Sequence, residues 1–252
     1  MDTTPALISR ARHDAVVFDL DGVVTQTSIV HAAAWKALFD AYLRTRAAHE
    51  GHDLRPFDEK TDYRLHVDGK PRYDGVRDFL ASRGIKLPQG QPSDPPELET
   101  VCGLGNRKNV FFNAAVQEHG IKAYPSTVAL IRRLRTAGVR VGLMSSSKNT
   151  AMILDVAGLT DLFEVRVDGV AGEELGLPGK PDPAMYLETA RRLGVAPARA
   201  VVVEDALSGV EAGRRGGFDL VIGVDRLGQA EALREHGADV VVDDLGEVAF
   251  EE

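Results

Sequence analysis

The feature that most constrains this chain is an apolar run near its N-terminus that ends in two aspartates. Residues 15–18 are uniformly apolar, and Asp19, Asp21 and Gly22 follow them. A continuous apolar run is typical of a strand buried on both faces of a parallel sheet. Because burying carboxylates within a sheet is costly, the aspartates are expected where the strand leaves it. Ligands of open α/β sheets bind at these carboxyl ends, although Asp-Gly is also a common turn dipeptide.

The second half of the chain alternates short apolar runs with amphipathic segments. Further strands are predicted at 139–144, Val165–Val167, 200–203, Leu220–Val224 and Val240–Val242. Helices are predicted between them, including 127–137, 183–193 and 208–215. Strands that alternate with helices indicate a parallel sheet covered on both faces. The predicted fold class is therefore α/β, with a Rossmann-like parallel sheet core and helices on both faces.

Residues 28–122 interrupt this pattern with a polar, Gly- and Pro-rich stretch that contains a few amphipathic segments. Helices are predicted over 27–43, 73–82 and 106–119. The last of these is expected to pack through Val110, Phe111, Ala114 and Ala115. We predict a mainly helical cap domain over 28–122, inserted after the first strand of a catalytic core formed by 1–27 and 123–252. A small domain that is connected to the core beside the acidic strand end is expected to act as a lid over the site there.

Composition and charge argue against several classes of function. A net charge of −8 over 252 residues argues against a general affinity for nucleic acid. Cys102 is the single cysteine, so neither an intrachain disulfide framework nor a thiolate metal cluster is expected. No basic and apolar leader precedes residue 15, and no apolar run is long enough to span a bilayer. We therefore expect a cytoplasmic protein without nucleic-acid or membrane partners, as a monomer or a dimer.

Polar groups suited to phosphate and metal follow four of the predicted strands. In chain order they are Asp19 and Asp21, then Ser145, then Lys180, then Glu204 and Asp205. Two acidic pairs cannot lie close together without a cation between them, and hard oxygen ligands favour Mg²⁺. The ordered set resembles the haloacid dehalogenase superfamily, mostly phosphotransferases that use an aspartate nucleophile. The resemblance covers almost the whole chain.

The resemblance implies that Asp19 is the nucleophile and that Asp21 is the general acid and base. These residue types permit that chemistry: Asp19 would attack phosphorus to give an aspartyl phosphate. Asp21 would protonate the leaving oxygen and later deprotonate the hydroxyl that accepts the phosphoryl group.

A phosphate dianion repels an incoming carboxylate, so its charge must be neutralised first. Mg²⁺ would supply part of the neutralising charge, held by Asp19, the Asp21 carbonyl and Asp205, with Glu204 nearby. The remainder would come from Lys180 and Ser145.

Within the superfamily, the inserted segment resembles the β-phosphoglucomutase branch. The matching substrate positions are His31, Trp35, Gly69, Arg72, Lys108, Ser146, Ser147, Lys148 and Asn149. The resemblance implies that His31 lies near the acid/base aspartate and that Trp35 lines a sugar site. It also implies that Arg72, in a Gly-x-x-Arg loop, grips a second phosphate together with Ser147 and Asn149. Gln26 departs from the family, which commonly has an aspartate there.

Three functions are compatible with these residues. The first is a Mg²⁺-dependent phosphoglucomutase that interconverts β-glucose 1-phosphate and glucose 6-phosphate through the 1,6-bisphosphate. The second is a sugar-phosphate phosphatase on the same scaffold, with water as the acceptor. The third, a non-enzymatic phospho-accepting signalling module, fits less well because such modules are shorter and lack a cap. A small phosphorylated sugar is the expected substrate of either enzyme.

Overall fold

The computed structural model describes residues 7–46 and 55–252. These residues form two compact units: residues 7–26 together with Ile121–Glu252, and the segment Thr27–Gly120. Residues 1–6 of the predicted core and residues 47–54 of the predicted cap lie outside the described residues.

The first unit is built on a parallel sheet, as predicted. Its strands are β2 (Ala15–Asp19), β3 (Arg140–Met144), β4 (Val165–Val167), β5 (Ala200–Glu204), β6 (Leu220–Val224) and β7 (Val240–Val242). They lie in the order β4-β3-β2-β5-β6-β7. From β2 the chain adds β3 and β4 on one side and then returns to place β5 on the other. The order therefore reverses at β2, and the crevice at the carboxyl end of such a strand is where open α/β sheets bind ligands.

The register of the sheet brings the predicted site residues to one level. Asp19 on β2 pairs with Met144, the residue before Ser145, and Phe18 pairs with Val203, the residue before Glu204. Every residue of β2 and β5 is buried, as expected for central strands covered on both faces. Asp19, Ser145 and Glu204, at the carboxyl ends of three neighbouring strands, thus lie at the same edge of the sheet.

Helices complete both units, and those that were predicted with bounds begin and end within five residues of the observed ones. The helical unit contains α1 (Thr27–Arg46), α2 (Arg72–Ser82) and α3 (Val101–His119), with a short π-helix at Tyr63–Val67. The sheet unit contains α4 (Pro125–Thr136), α5 (Thr150–Val156), α6 (Gly169–Glu174), α7 (Ala184–Leu193), α8 (Leu207–Arg215) and α9 (Ala230–Glu235). Apolar side chains of α7, α8 and α9 share one core cluster with β2 and β5.

The buried face of α3 differs from the predicted one. Val110 is 54% exposed and Ala114 is exposed, whereas Leu104, Lys108 and Phe112 are buried. The helix begins at Val101, where the Thr100 side chain accepts a hydrogen bond from the Gly103 amide, rather than at 106. The buried stripe therefore includes a lysine, and this cation interrupts the apolar pattern from which the face was predicted.

A second, smaller sheet was not predicted. Strand β1 (Leu7–Ser9) pairs in parallel with β8 (Ala249–Glu251), which lies in the C-terminal tail. Each strand has only three residues, too few for a periodic pattern to identify. In the described part of the chain, no helix combines the length and apolar character that crossing a membrane requires.

Candidate active site

Three carboxylates converge where β2 and β5 end. Asp19, Glu204 and Asp205 are buried, and each contributes an oxygen to a group whose members lie within 4.8 Å of one another. Asp19 is the last residue of β2 and Glu204 is the last residue of β5. Because the two strands are neighbours in the sheet, their carboxyl ends bring these side chains together.

Lys180 neutralises part of this acidic cluster. Its Nζ lies 2.6 Å from Asp19 Oδ1 and also contacts Glu204 Oε1. The side chain comes from the segment between α6 and α7 and is 5% exposed. Burial alone would lower the pKa of the Lys180 ammonium, but contact with the two carboxylates raises that pKa above its ordinary value. Lys180 is therefore a fixed cation at the site.

Glu204 is held from several sides by groups that the sequence did not single out. The buried Tyr186 hydroxyl donates a hydrogen bond of 2.9 Å to Oε1, and the Ala206 amide donates one of 2.8 Å to Oε2. On α8, Gly209 leaves the space that this carboxylate occupies, since a Cβ there would lie 2.0 Å from Oε1. A Lys-Pro-x-Pro-x-x-Tyr spacing could have indicated Tyr186, because it places the tyrosine one turn into the helix that follows the lysine.

Asp19 is in an environment that disfavours its charged form. Burial raises the pKa of the Asp19 carboxyl well above its ordinary value, and the nearby Glu204 and Asp21 carboxylates raise it further. The Lys180 cation opposes this shift. A further cation beside Asp19 would favour the ionised form that nucleophilic attack requires.

The residues present fit a divalent cation. Among the described residues, three buried carboxylates lie around one ammonium, that of Lys180, so ionising all three leaves two negative charges to be compensated. Carboxylate oxygens are hard ligands of the kind that Mg²⁺ prefers. Gly22, with φ of +85°, approaches the Asp205 carboxylate so closely that a Cβ would lie 1.7 Å from Oδ2. The Asp21 side chain is only partly buried, and the prediction assigned its carbonyl, not its carboxylate, to the metal.

The loop after β3 carries the other predicted core residues. Ser145 is fully buried, and its Oγ accepts a hydrogen bond of 3.1 Å from the Ser147 amide. Ser147 Oγ in turn accepts one of 3.1 Å from the Asn149 amide. Lys148 forms an ion pair with Glu173 on α6, with 2.7 Å between Nζ and Oε1. Side-chain hydroxyls thus order this loop, in which Ser146 is half-buried.

In the helical unit, three predicted substrate residues lie in one cluster. Lys108 is 3% exposed and contacts His31 Nδ1, and its Nζ lies 5.0 Å from the centre of the Trp35 ring. The His31 ring stacks on Phe112 with centroids 4.1 Å apart, and Lys108 Nζ lies 4.8 Å from the centre of that same ring. Phe112 was not predicted, although its position one turn after Lys108 places it on the same helix face.

Arg72 begins α2, directly after a turn in which Gly69 adopts φ of +68°. Its Cδ would lie 3.3 Å from a Cβ at Gly105 on α3, so the arginine stem passes close to that helix. Gly105 precedes Lys108 by three residues, which is about one helical turn. The Arg72 stem therefore passes α3 about one turn before Lys108, which is a residue of that helix.

Comparisons with known proteins agree with this geometry. A family model described as haloacid dehalogenase-like hydrolase matches residues 13–217. A β-phosphoglucomutase from Mycobacterium bovis is 49% identical over 237 residues, which cover 93% of this chain and 90% of the relative. A phosphorylated carbohydrates phosphatase from Thermotoga maritima is 28% identical, covering 91% of this chain and 94% of the relative.

Among solved structures, a β-phosphoglucomutase from Clostridium difficile superposes with a TM-score of 0.72 at 25% identity. The match covers 93% of this chain and 92% of that one. The sheet order, the acidic cluster at its switch point and the family match over most of the chain lead to one conclusion. The protein is an enzyme that belongs to the haloacid dehalogenase-like hydrolase family.

Proposed function

We propose that the protein is a Mg²⁺-dependent β-phosphoglucomutase that interconverts β-D-glucose 1-phosphate and glucose 6-phosphate through the 1,6-bisphosphate. The observation that carries the proposal is the 49% identity to a β-phosphoglucomutase along 93% of this chain. A small phosphorylated sugar is then the substrate. The cytoplasmic location and the monomeric state stay predictions.

Asp19, Asp205 and the Asp21 carbonyl are proposed to hold Mg²⁺, with Glu204 close by. When bound, the ion supplies positive charge that offsets the phosphate dianion. Lys180 already contacts Asp19 and Glu204, so its ammonium adds a second fixed charge beside the nucleophile. Ser145, buried at the end of β3, is proposed to donate a hydrogen bond to a phosphate oxygen.

Asp19 and Asp21 carry the proposed reaction. A carboxylate oxygen of Asp19 attacks one phosphorus of the 1,6-bisphosphate and forms an aspartyl phosphate, while the bond from that phosphorus to the sugar oxygen breaks and leaves a sugar monophosphate. Asp21 donates its proton to that leaving oxygen and becomes a carboxylate. In the second half, Asp21 removes the proton of the attacking sugar hydroxyl, whose oxygen takes the phosphoryl group and releases Asp19. Protons and phosphoryl groups balance over the cycle.

The helical unit is proposed to act as a cap that selects the sugar. A mutase that works through a bisphosphate needs to bind a second phosphate as well as the one being transferred. Lys108 on α3 and Arg72, whose stem passes that helix about one turn earlier, are proposed to supply cationic groups for this purpose. Trp35 and His31 are proposed to contact the sugar, in line with the roles that the family resemblance implies.

The direct test supplies purified protein with Mg²⁺, β-glucose 1-phosphate and a trace of the 1,6-bisphosphate. Glucose 6-phosphate and free phosphate are then measured in the same reaction. We expect glucose 6-phosphate to form far faster than free phosphate, and α-glucose 1-phosphate to serve as the inactive control. Release of phosphate without isomerised sugar would contradict the mutase proposal.

A sugar-phosphate phosphatase is the second candidate. The phosphorylated carbohydrates phosphatase of Thermotoga maritima, which matches this chain along 91% of its length, favours it. In a phosphatase, Asp21 would activate water in place of a sugar hydroxyl, and the groups around Asp19 would be unchanged. The assay above separates the two, because only the mutase retains the phosphoryl group on the sugar.

A further inference from the structure

The loop that follows β6 contacts both acidic segments of the active site. This loop, residues 225–229, is called the brace loop below. Arg226 Nε donates a hydrogen bond of 2.8 Å to the carbonyl of Gly22, in the turn that follows Asp19. Gln229 Nε2 donates one of 3.2 Å to the carbonyl of Asp205. One loop thus binds the backbone on both sides of the carboxylate cluster.

The brace loop is ordered by its own first residue. The Asp225 carboxylate accepts hydrogen bonds from the amides of Leu227, Gln229 and Ala230, at 3.2, 2.8 and 3.0 Å. A carboxylate that binds two amides of the loop and the first amide of α9 fixes the loop conformation without any contact from outside. Arg226 and Gln229 therefore extend from a preformed support.

Arg226 holds the turn after Asp19 through two routes. Besides the contact with Gly22, its guanidinium lies 3.7 Å from the centre of the Tyr124 ring. The Tyr124 amide donates a hydrogen bond of 2.9 Å to the Val24 carbonyl, two residues further along the same turn. Arg226 Nη1 is itself held at 2.9 Å from the Asp243 carbonyl. The arginine thus ties the turn to two other segments of the sheet unit.

Packing alone does not account for these side chains. Gln229 is 5% exposed, and burying an amide is unfavourable unless it is hydrogen-bonded. Gln229 Oε1 and Arg226 Nη2 are both buried without a hydrogen-bond partner among the described residues. A leucine or methionine would fill these positions at a lower desolvation penalty. The polar groups that do bind are directed at the Gly22 and Asp205 carbonyls.

We propose that Arg226 and Gln229 are positioning residues that set the distance between the turn after Asp19 and Asp205 for a divalent cation. Gly22 lies against the Asp205 carboxylate, so any displacement of either segment changes the separation of the ligand oxygens. Neither side chain touches the reacting atoms. The inference rests on the proposed function for the role of the cation, whereas the support of the turn does not depend on it.

The first experiment measures the stability of the turn after Asp19 in the absence of metal. Hydrogen exchange by mass spectrometry in EDTA reports on the amides of Gly22, Val24 and Thr25, which bond to carbonyls within the turn. We expect Arg226→Met to speed exchange of this peptide by about tenfold or more while leaving the peptide of β7 unchanged. Arg234→Met is the matched control, because Arg234 is half-exposed on α9 and pairs with Glu231. Unchanged exchange in Arg226→Met would overturn the proposal.

The second experiment measures Mg²⁺ binding by calorimetry in the absence of sugar phosphate. We expect Arg226→Met and Gln229→Leu each to weaken Mg²⁺ binding by about 10- to 100-fold, the range seen when groups that orient metal ligands are removed. The midpoint of thermal unfolding in EDTA should stay close to that of the unmodified protein. An unchanged affinity in both variants, or a loss that parallels lower stability in EDTA, would overturn the positioning role.

These two measurements separate this inference from the proposed function. If the unmodified protein bound no Mg²⁺, the proposed metal chemistry would fail, while the hydrogen-exchange result would still decide whether the brace loop supports the turn. If the unmodified protein bound Mg²⁺ and the two variants bound it more weakly, with a lower kcat and an unchanged KM for the sugar phosphate, the positioning role would be supported. A change in KM alone would contradict it.

Discussion

The acidic cluster of the sheet unit (Asp19, Glu204 and Asp205) and the cationic cluster of the helical unit (Lys108 with His31, Trp35 and Phe112) bury charge in opposite ways. In the sheet unit, Lys180 directly contacts two carboxylates, Asp19 and Glu204. In the helical unit, Lys108 is equally buried, yet its Nζ lies over aromatic rings, 5.0 Å from Trp35 and 4.8 Å from Phe112. Aromatic faces attract a cation without neutralising it. Lys180 is therefore held by two carboxylates, whereas Lys108 is held among aromatic rings and the His31 imidazole.

This difference indicates that the two units of the proposed mutase have separate roles in catalysis and in substrate binding. A cluster with excess negative charge repels a phosphate until a divalent cation is bound, so chemistry at Asp19 is expected to depend on metal. A buried lysine held among aromatic rings keeps its positive charge, and that charge attracts an anion. Changes in the sheet unit should therefore alter turnover of every phosphate ester. Changes in the helical unit should alter only substrates that carry a second phosphate or a sugar.

The largest expected effect is that of Asp19→Asn, which removes the proposed nucleophile. Turnover of both β-glucose 1-phosphate and p-nitrophenyl phosphate should fall by roughly 10⁴-fold or more. Trp35 is the single tryptophan, so quenching of its fluorescence by sugar phosphate should show whether the helical unit still binds. Asp14→Asn, at an exposed aspartate paired with Arg199, is the control and should keep full activity. Substantial activity in Asp19→Asn would contradict the proposed mechanism.

Asp21→Asn should show a smaller and substrate-dependent loss. Without a proton donor, turnover of a sugar phosphate is expected to fall by about 10²- to 10⁴-fold. Formation of the aspartyl phosphate from p-nitrophenyl phosphate should fall much less, because that leaving group needs no proton. Mass spectrometry of the intact protein would then detect the phosphorylated form as it accumulates. An equal loss of turnover with both substrates would contradict the acid/base role proposed for Asp21.

The parallel sheet and the side chains at its carboxyl edge were predictable from sequence, although the order of the strands was not predicted. Apolar runs ending in Asp19, Met144 and Glu204 identify strands, and parallel strands share a carboxyl edge, so their terminal side chains meet. The helical unit was harder to predict. The buried face of α3 was predicted wrongly because Lys108 occupies a core position, and the small sheet of β1 and β8 was not predicted because its strands are short.

The groups that support the site could not be read from single positions. Tyr186, Gly209 and Arg226 lie on different segments, and each supports a residue on another segment of the chain. A tyrosine in an amphipathic helix is ordinarily a core residue, and a glycine in a helix is ordinarily a weak point. Their roles follow from the position of Glu204 and of the turn after Asp19, which only three-dimensional structure supplies. Residues with a proposed role in the reaction are thus easier to identify from sequence than the residues that position them.

Gly209→Ala tests the supporting layer of the sheet unit. The new methyl group would meet Glu204, which would have to move from Lys180 and Tyr186. We expect Mg²⁺ affinity and kcat to fall by about 10- to 100-fold. Gly213→Ala on the same helix is the control, since its Cβ would meet valine side chains at 3.2 Å instead. Both changes should destabilise by about 1–3 kcal/mol through overpacking, so a metal defect in both would show that Glu204 is not the cause.

Arg72→Ala is expected to have the smallest effect on hydrolysis of a simple phosphate ester, while it still lowers mutase turnover. A charge-assisted hydrogen bond to a phosphate contributes about 1.5–3 kcal/mol, so mutase kcat/KM should fall by about 10- to 100-fold. Hydrolysis of p-nitrophenyl phosphate should be nearly unchanged, because that ester has no second phosphate. Arg77→Ala, on the same helix at an exposed arginine paired with Asp74, should leave both activities unchanged. Equal loss of both activities in Arg72→Ala would show that the arginine supports structure, and the contrast between the two clusters would then rest on Lys108 alone.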